Sequence, residues 1–324
     1  MGDPVIEVED LRRRYKSRTG LRRGSSRDVE AVQGISFQVE RGELFGLLGP
    51  NGAGKTTTIK ILITLLLPTG GTARVLGRDV VAEPREVRKR IGYVFGGDKG
   101  LYERLSGLDN LRYFAELYGV PPREQSTRIA ELLELVHLTG REQERVEGYS
   151  RGMRQRLHIA RGLLHDPPVV FLDEPTIGVD PVGARELRDT VAGLVQHGTT
   201  VLLTTHYMFE ADELCDRIAV ISGGRIVAEG TPDQLKGRVT GGHVVEVEVF
   251  GAAQDRLEAV RAVPGVTSAS VETSDQAELL VVRTDAGAQA TPGILACLDG
   301  VQLGRVVTRE PTLEDAYVEL VRQP

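Results

Sequence analysis

Apolar and polar positions change their spacing several times along this chain, and the changes define its elements. Short apolar runs typical of buried strands occupy residues 35–39, 44–48, 169–172 and 201–204. Segments with helical spacing separate these runs. Alternation of this kind predicts an α/β core in which helices pack on a mainly parallel sheet.

One long segment, residues 101–164, carries no strand pattern. Its apolar positions recur at intervals of three and four residues, the spacing of one helix face. We therefore predict a helical subdomain over about residues 100–165. The positions that carry this spacing are Leu108, Leu111, Phe114, Ala115, Leu117, Ile129, Leu132, Leu133 and Val136.

The alternation of apolar runs and helical segments is interrupted near residues 231–242 by proline and glycine residues. Beyond this point the spacing predicts a strand, a helix, two strands, a helix and a strand, and then a terminal helix from Thr312. This βαββαβ order predicts a small ferredoxin-like accessory domain. We place the boundary so that residues 1–238 form the first domain and residues 239–324 the second.

Charge is distributed unevenly between these two parts. The full chain of 324 residues has a formal net charge of −6. The segment from Thr240 onward contains six basic and 13 acidic residues and therefore carries the acidic excess. Because the overall charge gives no basic field of the kind that attracts nucleic acid, we expect no nucleic-acid partner.

Cysteine content and hydropathy narrow the class of protein. The two cysteines, Cys215 and Cys297, exclude a disulfide framework and a cysteine-rich metal site. The most apolar run, residues 59–67, is interrupted by Lys60 and Thr64. A membrane-spanning helix needs about 20 apolar residues, and the N-terminus lacks the pattern of a secretory signal. We therefore expect any work at a membrane to require a partner.

A glycine-rich loop follows the apolar run at residues 44–48 and precedes a helical segment. It matches the pattern G-x-x-x-x-G-K-[ST], in which backbone N–H groups and the next helix N-terminus hold phosphate oxygens. Lys55 is expected to neutralise the β and γ phosphates, and the Thr56 hydroxyl to bind Mg²⁺. The predicted nucleotide-binding residues are Gly49, Pro50, Asn51, Gly52, Ala53, Gly54, Lys55, Thr56 and Thr57.

A second candidate lies where the apolar run at residues 169–172 ends in Asp173 and Glu174. Adjacent side chains leaving a strand diverge, so each carboxylate can take its own task. We expect Asp173 to hold Mg²⁺ and Glu174 to polarise the attacking water. Two carboxylates at a strand end are commonly only a solvated terminus, but a preceding phosphate-binding loop favours the catalytic interpretation.

Three further stretches match one family. Residues 149–157, Tyr-Ser-Arg-Gly-Met-Arg-Gln-Arg-Leu, resemble the signature sequence of ATP-binding cassette (ABC) ATPases. Residues 178–181 resemble their D-loop, and residues 204–206 resemble their switch-histidine loop. With the two motifs above, these stretches stand in family order over about residues 5–235. The resemblance implies a P-loop NTPase fold of the ABC type, ATP and Mg²⁺ as cofactors, and hydrolysis of ATP to ADP and phosphate.

The resemblance also implies roles for single residues. Ser150 and Gly152 would contact the ATP held by a second subunit, so that ATP joins a head-to-tail homodimer of nucleotide-binding domains. Ser150 is moreover a good N-cap, and the N-terminus of the helix that follows attracts phosphate. Asp180 belongs to the D-loop. His206 would contact the γ-phosphate and hold the water and Glu174 in line.

The N-terminal region holds a further candidate. Tyr15 occupies roughly the position of the aromatic residue on which the family stacks adenine. It lies in a basic stretch, residues 12–27, with eight basic residues and no acidic one. A solvated hairpin tip explains this stretch more simply than contact with anionic lipid headgroups.

Two positions depart from the family pattern. Gly96 stands where the family usually places a glutamine that helps to order Mg²⁺ and the attacking water and relays closure to the transmembrane partner. We expect a water molecule to take its place, with Asp98 as the second choice and an inactive ATPase as the third. Arg151 replaces the second glycine of the signature, a milder change because Ser150 and Gly152 remain.

The end of the chain, residues 310–320, resembles that of ATPase subunits of daunorubicin-type and sodium-type exporters, whose membrane subunits are separate polypeptides. This implies the ATPase subunit of a bacterial drug-type exporter, cytoplasmic and peripheral on the inner face of the cell membrane, beneath a transmembrane permease.

Two rival classes remain. A soluble ABC ATPase acting on ribosomes or DNA would resemble relatives that carry two cassettes or long coiled coils. A P-loop kinase or GTPase needs no signature sequence, and a GTPase should show an N-K-x-D-type base reader, which this sequence lacks.

Overall fold

A computed structural model of the protein describes residues 4–18, 26–96, 100–251, 253–273 and 278–322. The chain divides into two compact units, Met1–Thr231 and Pro232–Pro324. The first unit contains two sheets and the second unit one, and each unit has its own hydrophobic core. No helix within the described ranges has the length and apolar composition needed to cross a bilayer.

The first unit follows the predicted alternation of strands and helices. In chain order its elements are β1 (Ile6–Arg18), β2 (Ser26–Val39), β3 (Leu44–Leu48), α1 (Lys55–Leu62), β4 (Gly70–Val75), β5 (Arg78–Asp79), α2 (Pro84–Arg88), β6 (Ile91–Phe95), α3 (Gly107–Leu117), α4 (Pro122–Leu135), α5 (Arg151–Leu163), β7 (Val169–Asp173), α6 (Pro181–Gln196), β8 (Thr200–Thr205), α7 (Met208–Leu214), β9 (Arg217–Ser222) and β10 (Arg225–Gly230). Three of the predicted apolar runs are β3, β7 and β8, and the run at residues 35–39 is the end of the longer β2.

A six-stranded sheet with the order β10-β9-β3-β8-β7-β6 forms the centre of this unit. Its strands from β9 to β6 are parallel, and β3, β7 and β8 are buried along their whole length. Continuous apolar runs are typical of parallel strands covered on both faces. The pairing sets Leu48 opposite Thr205 and Asp173 opposite Thr204, so the carboxyl ends of three strands meet at one edge.

A second, antiparallel sheet in the same unit has the order β2-β1-β4-β5. It shares the hydrophobic core with the central sheet: the buried rings of Phe37 on β2 and Phe45 on β3 stack with their centroids 5.3 Å apart. This packing also brings the backbone of Ala31 on β2 next to the loop that follows β3.

Helices α3, α4 and α5 lie between β6 and β7 in the chain. Ser106 caps α3 by accepting a hydrogen bond from the backbone N–H of Asp109. The buried side chain of Asn110 bonds the backbone of Tyr102 and Ser106 and so fixes the entry to α3. These three helices occupy the segment for which the helical subdomain was predicted. Its buried apolar positions include Leu111, Ala115, Ile129, Leu132, Leu133 and Val136.

The second unit combines a four-stranded antiparallel sheet with helices. In chain order its elements are α8 (Pro232–Lys236), β11 (His243–Phe250), α9 (Leu257–Arg261), β12 (Val266–Thr273), β13 (Glu278–Thr284), α10 (Thr291–Cys297), β14 (Gln302–Arg309) and α11 (Leu313–Arg322). The sheet order β12-β13-β11-β14 and the βαββαβ succession are those of the predicted ferredoxin-like arrangement.

An ionic cluster fastens α11 to this sheet. Arg309 on β14 donates hydrogen bonds to Glu246 on β11 and to Asp315 on α11, each 2.6 Å long. Asp315 also accepts hydrogen bonds of 2.8 Å from the backbone N–H and the hydroxyl of Thr312. Burial alone would raise the pKa of Asp315, but the bonds from Arg309 and Thr312 outweigh it and lower that pKa below its usual value.

Candidate active site

The glycine-rich loop runs from the end of β3 to the start of α1, as predicted. A Cβ atom at Gly49 would collide with the carbonyl oxygen of Ile221, and one at Gly54 would lie 2.5 Å from the carbonyl oxygen of Ala31. Gly54 also has a φ of 112°, a conformation that L side chains rarely adopt. Packing therefore requires glycine at both positions, and at Gly54 the backbone conformation requires it as well.

Lys55 is the first residue of α1 and is only 4% exposed. Its Nζ donates hydrogen bonds to the carbonyl oxygens of Gly49 at 2.7 Å and Pro50 at 3.2 Å. The same Nζ lies 3.1 Å from Oε1 of Glu174. The cation is thus held over its own loop and paired with the predicted catalytic carboxylate.

Asp173 ends β7 beside the start of α1. Its Oδ1 accepts hydrogen bonds from the Thr56 hydroxyl at 3.1 Å and from the Thr204 hydroxyl at 2.5 Å. A carboxylate and a hydroxyl are hard oxygen donors of the kind that Mg²⁺ takes, usually together with phosphate oxygens. The pair Thr56 and Asp173 therefore fits the ion proposed for it from the sequence.

Glu174 follows Asp173 in a left-handed conformation, with a φ of 50°. Its backbone N–H donates to the carbonyl oxygen of Thr204 at 3.0 Å and contacts the Thr204 hydroxyl at 3.2 Å. Its Oε2 lies 3.4 Å from Nδ1 of His206. The structure therefore brings Lys55, Glu174 and His206 into one row, with the glutamate in the middle.

A cavity of about 240 Å³ opens beside this row. Residues of the glycine-rich loop and α1 line it together with Glu174 and Ala31. Sequence reasoning did not identify Ala31, because its position depends on the packing of β2 against the loop. The lining residues are Ala31, Asn51, Gly52, Gly54, Lys55, Thr56, Thr57 and Glu174.

Tyr15 is not among the residues that line this cavity. It lies on β1 opposite Val29 of β2, two residues before Ala31. Its ring is 37% exposed, and the Arg13 guanidinium lies 4.8 Å from the ring centroid. An adenine-stacking role for Tyr15 stays a prediction. Residues 19–25 of the basic stretch lie outside the described residues.

Ser150 caps α5, and its hydroxyl accepts a hydrogen bond of 3.2 Å from the backbone N–H of Met153. The preceding residue, Tyr149, is buried, and its hydroxyl donates to the carbonyl oxygen of Arg141 at 2.7 Å. Burial raises the pKa of Tyr149 to about 12, so the phenol stays a hydrogen-bond donor. Tyr149, which the sequence analysis did not single out, therefore anchors the loop that presents Ser150.

The D-loop lies directly against the signature segment of the same chain. Asp180 caps α6, its Oδ1 accepting from the backbone N–H groups of Val182 at 3.1 Å and Gly183 at 3.0 Å. The Arg151 guanidinium occupies the space that a Cβ atom at Gly178 would need. The predicted residues Ser150, Gly152 and Asp180 thus lie together, and they are not among the lining residues of the cavity beside Lys55.

Gly96 continues β6, and its backbone N–H donates to the carbonyl oxygen of Asp173 at 2.8 Å. A Cβ atom at Gly96 would lie 2.7 Å from the carbonyl oxygen of Glu174 and 3.0 Å from Cγ2 of Ile177. The backbone path therefore leaves no room for a glutamine at this position. Asp98, our second choice to replace that glutamine, lies outside the described residues.

Known proteins resemble this chain over almost its whole length. A family model described as ABC transporter matches residues 32–177. A daunorubicin resistance ATP-binding protein of Streptomyces coeruleorubidus is 42% identical over 322 residues, which cover 99% of this chain and 96% of that protein. The Nod factor export ATP-binding protein I of Ralstonia nicotianae is 36% identical over 327 residues, covering 98% and 94%.

A solved structure shares the fold of most of this chain. It is that of cbiO1 from Clostridium perfringens, part of an ABC transporter complex. Its TM-score is 0.64 at 26% sequence identity, and the match covers 73% of this chain and 92% of that chain.

The chain therefore belongs to the ABC transporter family. It is an ATP-binding subunit of that family, and it hydrolyses ATP in a reaction coupled to transport. The predicted family, cassette fold, ATP binding and ATPase activity are confirmed.

Proposed function

We propose that this chain is the ATP-hydrolysing subunit of a bacterial exporter and drives a separate transmembrane permease from the cytoplasmic face of the membrane. The observation that carries this proposal is the row of Lys55, Glu174 and His206, in which the glutamate carboxylate lies 3.1 Å from the lysine and 3.4 Å from the histidine. Such a row supplies a phosphate-binding cation, a base and a polar side chain within the reach of one terminal phosphate.

In the proposed reaction each group has one task. The backbone N–H groups of the loop and the N-terminus of α1 bind the phosphates, and Lys55 moves its contact from Glu174 to the β and γ oxygens. Glu174 is then free to accept a proton from the attacking water, and His206 holds that water and the γ-phosphate in place. Bound Mg²⁺ would supply positive charge to the phosphate oxygens, and Thr56 and Asp173 would hold it.

A second copy of the chain would complete the site. Ser150 is exposed at the N-terminus of α5, and the described lining of its own phosphate cavity includes neither Ser150 nor Gly152. Because a helix N-terminus attracts anions, this end of one copy would bind the γ-phosphate held by the other. Hydrolysis removes the shared anion, and the opening of the dimer would move the permease.

A second cavity supports the proposal of a permease partner. It has a volume of about 1110 Å³ and is bordered by β6, α2, α4 and the end of α5. Apolar and aromatic side chains such as Tyr93 and Tyr118 share its lining with charged residues, of which the basic ones outnumber the acidic ones by five to three. We propose that an apolar segment of the permease with acidic residues docks there, because β6 leads directly to Gly96 and the active site.

The names of the relatives support a proposal for the class of exported compound. One of them is named for daunorubicin resistance and the other for Nod factor export, and both match the chain beyond the cassette. We propose a drug-type substrate, bound by the permease. We also propose that residues 1–238 form the nucleotide-binding domain and residues 239–324 an accessory domain, although α8 belongs to the second compact unit, which begins at Pro232.

The test combines turnover with partner capture. The purified full-length chain should hydrolyse Mg·ATP, and a tagged chain should recover a polytopic membrane protein from solubilised host membranes. Arg88→Glu in the second cavity should weaken this recovery while turnover by the isolated chain stays unchanged. Recovery of ribosomes or DNA in place of a membrane protein would support the soluble alternative and contradict our proposal.

A further inference from the structure

Glu210 is a buried carboxyl that the proposed reaction does not use. It lies on α7, four residues after His206, and is 2% exposed. Neither of its carboxyl oxygens completes a hydrogen bond of good geometry with a described residue. A buried charge without partners is strongly unfavourable, so this carboxyl needs an explanation in its surroundings.

Two threonine hydroxyls face the Glu210 carboxyl. One belongs to Thr205, the residue before His206, and the other to Thr176, two residues after Glu174. Both threonines are buried. The Thr205 hydroxyl already accepts a hydrogen bond of 3.0 Å from the backbone N–H of Tyr207. Its own hydrogen is therefore available to the carboxyl.

The charged and titratable groups around this carboxyl are few. Arg188 on α6, His206 after β8 and the thiol of Cys215 at the end of α7 face it. Arg188 lies 2.6 Å from a carboxylate oxygen of Glu213, its ion-pair partner. Burial is the largest effect and raises the pKa of Glu210 above its usual value. The two threonine hydroxyls lower that pKa, as do the nearby Arg188 and His206, but their effects are smaller.

A protonated carboxyl has one donor and retains acceptor capacity. It can accept the hydrogen of the Thr205 hydroxyl and donate its own to the Thr176 hydroxyl. These two hydrogen bonds would form a bridge between the loop after β7, which carries Glu174, and the loop after β8, which carries His206. These loops belong to neighbouring strands of the central sheet.

We propose that Glu210 is a positioning residue for ATP hydrolysis, and that its carboxyl ties Thr176 to Thr205 and thereby holds His206 against Glu174. The inference rests on the proposed function, since it takes Glu174 and His206 as the groups that handle the water. Displacement of a catalytic group by about 1 Å can cost about 100-fold in rate. Loss of the hydrogen bonds made by Glu210 would therefore have a large kinetic effect, even though each bond is weak.

Steady-state hydrolysis by the full-length chain tests the inference. Glu210→Ala leaves two buried hydroxyls without their partner, and we expect kcat to fall at least about tenfold while KM for ATP changes less than about threefold. Glu210→Gln keeps a donor and an acceptor in the same place. It should restore kcat to within about threefold of the original chain.

Thr176→Val approaches the bridge from its other end and keeps the shape of the side chain. It should lower kcat in the same direction, and it decides the question alone if Glu210→Ala does not fold. Asp189→Asn is the matched control, because Asp189 lies at an exposed position of the neighbouring helix α6 and is not among the groups that face Glu210. Both kinetic constants should stay unchanged in this control.

Two results would overturn the inference. One is an unchanged kcat in Glu210→Ala or Thr176→Val together with a lower melting temperature, which would show a purely structural role. The other is a Glu210→Gln variant as slow as Glu210→Ala. If the unsubstituted chain did not hydrolyse ATP at all, that result would instead contradict the proposed function. The two failures are therefore distinguishable.

Discussion

Nζ of Lys55 lies 3.1 Å from Oε1 of Glu174, in a pair whose side chains are 4% and 17% exposed. The cation that we expect to bind phosphate is therefore paired with the carboxylate that we expect to activate water. A triphosphate entering the site must compete with Glu174 for Lys55. In the proposed reaction, this competition would release the Glu174 carboxylate, so that nucleotide binding itself would free the general base.

The first prediction concerns Glu174→Gln. Loss of a general base typically costs about 10²- to 10⁴-fold in rate, so turnover should fall at least about 100-fold. ATP should bind at least as tightly as before, because an amide competes less well for Lys55. Light scattering should then detect an ATP-dependent dimer.

Glu134→Gln, at an exposed position of α4, is the control. Dimerisation of the Glu174→Gln variant that does not depend on ATP would contradict the proposed ATP-bridged dimer.

The second prediction concerns Lys55→Ala. This change removes the cation from the loop and leaves the Glu174 carboxylate unpaired beside the incoming phosphates. Nucleotide affinity should fall at least about tenfold, equivalent to about 1.4 kcal/mol. Titration with a fluorescent ATP analogue measures the effect. An affinity within about threefold of the original would mean that the backbone N–H groups bind the phosphates without help.

The third prediction concerns Gly96, where the family usually carries glutamine. Gly96→Gln should not raise ATPase activity, because its Cβ would press on the carbonyl oxygen of Glu174. Overpacking of this kind typically costs about 1–3 kcal/mol, so Gly96→Ala should already lower the melting temperature. Gly242→Ala, at an exposed glycine with open space around its Cβ, is the control. A stable and faster Gly96→Gln variant would show that β6 can move aside.

The fourth prediction concerns Arg151 and Gly178. Gly178→Ala places a methyl group where the Arg151 guanidinium lies, at a φ of 66° that disfavours side chains. The D-loop should shift and ATPase activity should decrease. Arg151→Gly removes the steric conflict, so the double variant should be more active than the sum of the two single effects predicts. Additive effects in this double-mutant cycle would rule out the coupling.

The fifth prediction concerns the pH dependence of the second unit. The pKa of Asp315 is lowered in the folded protein, so its stabilising contribution is fully present above the unfolded value of about 3.9. It is lost as the pH falls through the lower folded value.

Asp315→Asn should therefore lower the free energy of unfolding by about 2 kcal/mol near neutral pH, and by progressively less below about pH 3.9. Urea unfolding at pH 7 and pH 3 measures the difference. Asp299→Asn, at an exposed position, serves as the control. A difference that is equal at both pH values would exclude the ionic explanation.

The extent to which sequence predicted this structure depends on how local each signal is. The strands β3, β7 and β8 could be predicted because buried parallel strands are continuously apolar. The glycine-rich loop was identified because its chemistry lies within eight consecutive residues. Local spacing also predicted the helical subdomain and the βαββαβ order of the second unit.

Residues whose importance comes from strand pairing could not be found in this way. Thr204 bonds Asp173 only because β8 lies beside β7, and Ala31 reaches the cavity only because β2 packs on the loop. Glu210 belongs to an acidic run that looks solvated in the sequence, yet its helix turns it inward. The lack of space at Gly96 depends likewise on the pairing of Phe95 with Asp173.

The contact between Gly96 and Asp173 is made by main-chain atoms alone, an N–H and a carbonyl 2.8 Å apart. A force applied at the end of β6 would therefore reach the peptide that carries Glu174 without passing through any side chain. A displacement transmitted through backbone atoms depends on the path of the backbone. The surrounding side chains can therefore be substituted widely without interrupting it.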